Sequence, residues 1–169
     1  FVIILTFLEI RVQLAVQLVL SVAPIALVIL LILLGALFVA AEIALISLRD
    51  SQVRQLATKG KRGAKVAELV KNPNRFLAAV QVGVTFSGFL SAALGAERIG
   101  KYVEPELQDI GVSEKYSATL SLILLTIVIA YISLIFGELV PKRLALHRTE
   151  FLALAFANSV DLLARFFRP

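Results

Sequence analysis

The chain has 169 residues, is 59% hydrophobic, contains no cysteine and one histidine, and carries a formal charge of +5. Its mean hydropathy of +0.91 and its apolar content lie above the roughly 45–50% apolar usage of soluble domains, and describe one domain integral to a membrane. This composition excludes a disulfide framework and thiolate metal sites, and a lone His147 argues against a zinc site of the usual kind. The basic residues border the hydrophobic runs, where they set orientation and meet anionic head groups of the lipid bilayer, so the charge does not indicate nucleic acid.

Residues 1–48 are almost wholly apolar, with Glu9, Arg11, Gln13, Gln17 and Glu42 the main exceptions. As one helix they would measure about 72 Å against a hydrocarbon core of about 30 Å. Pro24 is the expected break, because its ring disrupts a helix interior and is tolerated in a first turn. Residues 24–48 then form the first span. Residues 1–23 are an apolar amino-terminal segment with three readings: an interfacial or packed helix, a further crossing, or the remnant of a leader. Glu9 and Arg11 at mid-bilayer would be costly, which favours the first. Within the span, Ala36, Ala40 and Ala44 make a small stripe for close helix contact. Glu42 faces away from it, either reaching the interface or adding a second carboxylate near an ion path.

Residues 49–75 hold eight basic and two acidic side chains and read as one or two amphipathic juxtamembrane helices, with a turn near Gly60, on the cytoplasmic side. Residues 76–96 are an uncharged run and the second span. Gly83, Ser87, Ser91 and Gly95 recur every four positions, a pattern that serves tight packing; the hydroxyls of Thr85, Ser87 and Ser91 also suit a hard cation. A loop over residues 97–115, poor in positive charge, fits the opposite side of the membrane.

Residues 116–137, a third uncharged run, end at Gly137-Glu138-Leu139-Val140-Pro141-Lys142. Pro141 has no N–H, so in a continued α-helix the Gly137 carbonyl loses its partner. In a membrane that oxygen must be satisfied by protein, water or an ion, and beside the Glu138 carboxylate it forms an all-oxygen corner suited to a hard cation such as Mg²⁺, Ca²⁺ or Na⁺. The plainer reading is a boundary glutamate paired with Lys142 or Arg143. Residues 142–168 contain an uncharged core too short to span and read as juxtamembrane helix. The expected fold is therefore all-α: an integral-membrane, multi-pass, three-span helical bundle with cytoplasmic-side juxtamembrane helices and a cytoplasmic carboxy end.

Three motifs carry a family resemblance. Ala41-Glu42-Ile43-Ala44-Leu45-Ile46-Ser47, Asn74-Arg75-Phe76-Leu77-Ala78-Ala79-Val80-Gln81-Val82-Gly83 and Gly137-Glu138-Leu139-Val140-Pro141-Lys142 resemble, in order and separation, the ends of the spans in the CNNM/CorC membrane domain. The resemblance covers residues 25–169. It implies a homodimer in a bacterial plasma membrane or its equivalent, and a divalent-cation transporter exporting Mg²⁺ with Na⁺ as the candidate coupling ion. Older haemolysin-like labels for the family find no support in these residues.

The sequence departs from the family's ion-binding pattern. Val39 stands where many members carry serine, and Val84, Thr85 and Gly88 stand where many carry asparagine. The metal set that remains is Glu138, Gly137, Thr85, Ser87, Ser91 and Glu42. Fewer amide oxygens weaken a dehydrated Mg²⁺ site, which leaves Mg²⁺ held through water, another cation, or loss of transport. The alternative function is a non-transporting scaffold or accessory subunit of a larger membrane complex. No HExxH, paired intramembrane aspartates or serine–histidine arrangement points to an enzyme.

Overall fold

A computed structural model describes residues 2–166, with the side chains at 2–10, 12, 14–20, 75, 164 and 166 left undescribed. All its elements are helical: α1 Val2–Ile46, α2 Asp50–Ala57, α3 Lys61–Lys71, α4 Pro73–Asp109, α5 Glu114–Ile132, a π-helical segment Ser133–Leu139, α6 Val140–His147 and α7 Thr149–Phe166. Among the described residues three helical stretches are long and apolar enough to cross a membrane: Ser21–Ile46, Phe76–Asp109 and Glu114–His147. The protein is an integral membrane protein of three-span, all-α architecture.

Two expectations about element ends are corrected. The break at Pro24 does not occur, since α1 runs through it. A proline frees one carbonyl, whereas ending a helix in apolar surroundings frees several backbone groups, so continuation is the lesser cost. No turn separates residues 2–23 from the first span; the burial of Glu9 lies outside the described residues, as do residues 167–168 of the carboxy-terminal helix.

The loop expected over residues 97–115 is mostly helix. α4 continues through Pro105 to Asp109. It stops at Gly111, whose φ of 97° lies in the left-handed region. Gly111 N–H donates to the Gln108 carbonyl at 2.9 Å and Val112 N–H to the Leu107 carbonyl at 3.0 Å, the paired bonds that close a helix end around glycine. At the third span, Pro141 lies in the first turn of α6, where proline is tolerated.

By its contacts the chain divides into two compact units. The first comprises residues up to Leu30 together with Ser91–Ile129. Here small residues allow close approach: a Cβ at Gly95 would collide with Ile129 and crowd Val28. Ser121 Oγ donates to the Gly100 carbonyl at 3.1 Å, and Gln108 Nε2 to Ser117 Oγ at 3.0 Å. These bonds satisfy buried hydroxyls of α5 against α4.

The second unit, Leu31–Leu90 with Ala130 onward, has a continuous core. Ala44, Leu45, Leu56, Val66, Phe76, Val80, Ala145, Ala153, Ala157 and Val160 are all nearly or fully buried in it. The juxtamembrane helices thus wrap the ends of α1 and α4. Where this core borders water, each large apolar side chain contributes about 1.5–3 kcal/mol. α2 and α3 meet so closely at Gly63 that a Cβ there would overlap the Leu56 carbonyl.

Asp161 of α7, 5% exposed, joins α7 to α3. Its Oδ2 accepts from Lys65 Nζ at 3.2 Å and from Arg165 Nη2 at 3.0 Å. Burial alone would raise its pKa; the hydrogen bonds from Lys65 and Arg165 outweigh that and hold it below the usual aspartate value. A carboxyl with a depressed folded pKa contributes stability that is present above its unfolded value, about 3.9, and lost as pH falls through the folded value. Asp161→Asn should therefore cost about 1–2 kcal/mol at neutral pH, both cations being partly solvated. Thermal unfolding from pH 7 to pH 3 should show part of the wild-type loss below about pH 4 missing in the variant.

A hydroxyl-lined cavity at the π-helical turn

The last part of the third span is under-wound. Val140 N–H donates to the Ile135 carbonyl, five residues back, so each rung over Ser133–Leu139 reaches one residue further than in an α-helix. Pro141 follows in the first turn of α6 and, with no N–H, extends neither this ladder nor an α-helical one. Gly137, Pro141 and Ala145 are buried at four-residue spacing, leaving Glu138 and Lys142 one position round, half-exposed.

Beside this turn lies a cavity of about 50 Å³, lined by Leu31, Ile32 and Gly35 of α1, Val84, Ser87 and Gly88 of α4, and Ser133, Gly137 and Glu138. A single water needs about 10–15 Å³ on this measure, so the space admits a cation with part of its water shell. A Cβ on Gly137 would sit 3.3 Å from Ser133 Oγ, so glycine keeps the turn open toward that hydroxyl. Ser87 is 2% exposed, and its Oγ has no hydrogen-bond partner among the described residues. An unsatisfied buried hydroxyl costs about 1–3 kcal/mol, which a ligand at that position would offset.

The structure brings together three of the residues named from the sequence: Glu138, Gly137 and Ser87. Thr85 is exposed on α4 and lies outside the lining because it is two residues, about 200°, from Ser87 on the helix. Ser91 is fully buried in the other unit. Glu42 is half-buried and also outside the lining, yet it interacts electrostatically with both Glu138 and Lys142. Lys142 Nζ donates to Glu138 Oε2 at 3.3 Å. The plainer reading of Glu138 as an ion-paired carboxylate therefore coexists with its place in the cavity wall.

Ser133 was not among the residues picked out from the sequence. Four residues before Gly137, it is one hydroxyl in an uncharged run, and its single signal is that spacing. No group of three or more histidine, cysteine, aspartate or glutamate side chains gathers for a metal among the described residues. Any cation here would be held by one carboxylate, hydroxyls and backbone oxygen, a hard-donor set.

Removing the orphan hydroxyl with Ser87→Ala should leave stability equal or up to about 1 kcal/mol higher, because no bond is lost. The same change should reduce cation-dependent stabilisation, measured by thermal unfolding with and without MgCl₂.

Comparison with known sequences gives a consistent picture. A family profile described as CNNM, the cyclin M transmembrane N-terminal domain, matches residues 25–169. The chain is 41% identical over 140 residues to the UPF0053 protein sll0260 of Synechocystis sp., covering 82% of this chain and 31% of the relative. It is 31% identical over 141 residues to the UPF0053 protein YrkA of Bacillus subtilis, covering 83% and 32%. It is 29% identical over 140 residues to a polyamine export protein of Haemophilus influenzae, covering 82% and 32%. The chain thus spans about a third of the length of these relatives.

Proposed function

The chain belongs to the CNNM family of transmembrane domains, and from that premise we propose that it moves a cation across the membrane through the cavity at the π-helical turn. The observation that carries this reading is the convergence of the Glu138 carboxylate and the unpartnered Ser87 hydroxyl on one small, partly open cavity beside the turn. A carboxylate in a spanning helix is expensive unless a positive charge or water compensates it. The same feature attracts a cation and disfavours an anion.

Mg²⁺ is the first cargo to consider. It demands near-octahedral oxygen geometry and sheds water reluctantly, so one carboxylate with hydroxyl and carbonyl oxygens suits an ion that keeps part of its shell. Na⁺ is the candidate coupling ion, since the same hard donors accept it. The amide oxygens replaced by Val84, Thr85 and Gly88 are not needed for a water-retaining ion.

A second cargo is favoured by one specific comparison, the relative named as a polyamine export protein. A primary ammonium carries three donors and no acceptor. Glu138, Ser87 and Ser133 offer matching acceptors, and Lys142 already brings such an ammonium to Glu138. Metal and organic cation differ in shape rather than in the site's chemistry, so one assay separates them.

The positive-charge excess of α2 and α3 supports a cytoplasmic position for these helices and for the carboxy end. A homodimer in the bilayer accords with the many large apolar side chains on the surface, among them Phe86 and Phe89, which face lipid or a second copy.

In proteoliposomes, Glu138→Gln should abolish flux of Mg²⁺ or of a polyamine such as putrescine, with the variant still folded by thermal unfolding. Whichever cargo the wild type carries identifies the substrate. Unchanged flux in the variant would remove Glu138 from the mechanism, and absence of any cation flux in wild type would favour a membrane scaffold.

A further inference from the structure

We propose that Lys142 is a tethered counter-cation that competes with the cargo for the Glu138 carboxylate and assists its release. This inference rests on the transport reading of the same cavity and adds a residue that reading does not use. Lys142 Nζ donates to Glu138 Oε2 at 3.3 Å, the two side chains being 44% and 41% exposed. Glu138 in turn lines the cavity. One carboxylate therefore serves two positive charges, one covalently attached and one delivered from solution.

The position of Lys142 is fixed by packing rather than chosen by a flexible chain. Pro141 and Ala145 are buried to either side of it, so packing holds the α6 backbone while the lysine side chain stays partly exposed. The pair has its glutamate amino-terminal to its lysine at four-residue spacing, the favourable order on a helix. At the edge of a membrane span such a pair keeps the carboxylate from standing as an uncompensated charge.

A divalent ion or polyamine at Glu138 would repel an ammonium held 3.3 Å away, so binding must displace Lys142. Glu42 of α1 adds a second negative charge whose field acts on Lys142 as well as on Glu138, and the lysine's flexible four-carbon stem leaves it free to part from Glu138. Return of Lys142 to Glu138 then weakens the hold on the cargo. The site is kept from binding too tightly to let go, which conduction and transport both require.

The experiment is a titration of thermal stability in the full-length protein with MgCl₂ and, separately, putrescine, against NaCl at matched ionic strength. Lys142→Gln removes the competitor and should lower the half-stabilising cation concentration about two- to fivefold, the scale set by a partly exposed helical ion pair. Lys142→Arg keeps the charge and should stay near wild type, a rescue that a purely structural role of the stem would not produce in Lys142→Gln. Efflux by Lys142→Gln should be slower at saturating cargo, because release loses its assistant. An unchanged or raised half-stabilising concentration in Lys142→Gln, with wild type stabilised normally and Glu138→Gln unresponsive, would overturn the role of Lys142 and leave the transport reading standing. If wild type itself shows no stabilisation beyond the ionic-strength control, both fall together.

Discussion

A carboxylate at the end of a membrane span must be compensated, and the structure answers that demand with a change of helical register. Over Ser133–Leu139 the backbone bonds run five residues back, which widens the turn. The widened turn accepts Pro141 without ending the helix and places Gly137 and Glu138 in the wall of a small cavity. An α-helix through the same residues would set proline against the carbonyl four residues earlier. The π segment is thus the local solution to a conflict the sequence itself creates, and the cavity follows from it.

The donor set explains why this chain tolerates substitutions at positions where the family resemblance leads one to expect serine and asparagine. Val39 is 2% exposed and packs as an apolar residue. Val84 and Gly88 line the cavity without offering side-chain oxygen. What remains is weighted toward one side of the space: Glu138 and Ser133 from the third span, Ser87 from the second. On the proposed reading, such a set would bind a cation by charge and a few oriented dipoles rather than by a closed cage, and would suit cargo that brings its own hydrogen-bonding capacity, whether metal-bound water or an ammonium.

Much of the fold could be read from residue order, and the misses have a common cause. Three uncharged runs bounded by lysine and arginine marked the spans, and Gly137-Glu138 followed by Pro141 marked the turn. The small stripe Ala36, Ala40, Ala44 is buried as expected. The misses are prolines read as boundaries: Pro24 suggests a break and Pro105 falls in a stretch that reads as loop, yet each lies within a helix. At Pro24, in an apolar run, a broken helix finds no solvent for its freed backbone groups and so continues; Pro105 lies among charged residues, where hydropathy does not mark a helix. Register is invisible to hydropathy, because α and π segments bury similar residues. Ser133 was missed for that reason, and Thr85 was preferred over it because it lies in the better marked motif.

The helices outside the spans are more than an attachment to them. Ala145 of α6 shares its core with Ala44 and Leu45 of α1, Phe76 of α4, and Ala153 and Ala157 of α7, so the helix carrying Lys142 is fixed against the ends of the helices that carry Glu42 and Ser87. Asp161 adds a directional tie to this core, because a carboxylate held by Lys65 and Arg165 sets how α3 sits on α7, where apolar contact alone would permit sliding. A rigid base of this kind confines motion to side chains. In the proposed competition, Lys142 would leave Glu138 by its own rotamers, whereas a helix that shifted would have to unpack alanines buried against one another. Occupancy of such a site would then follow from competition between charges at fixed positions.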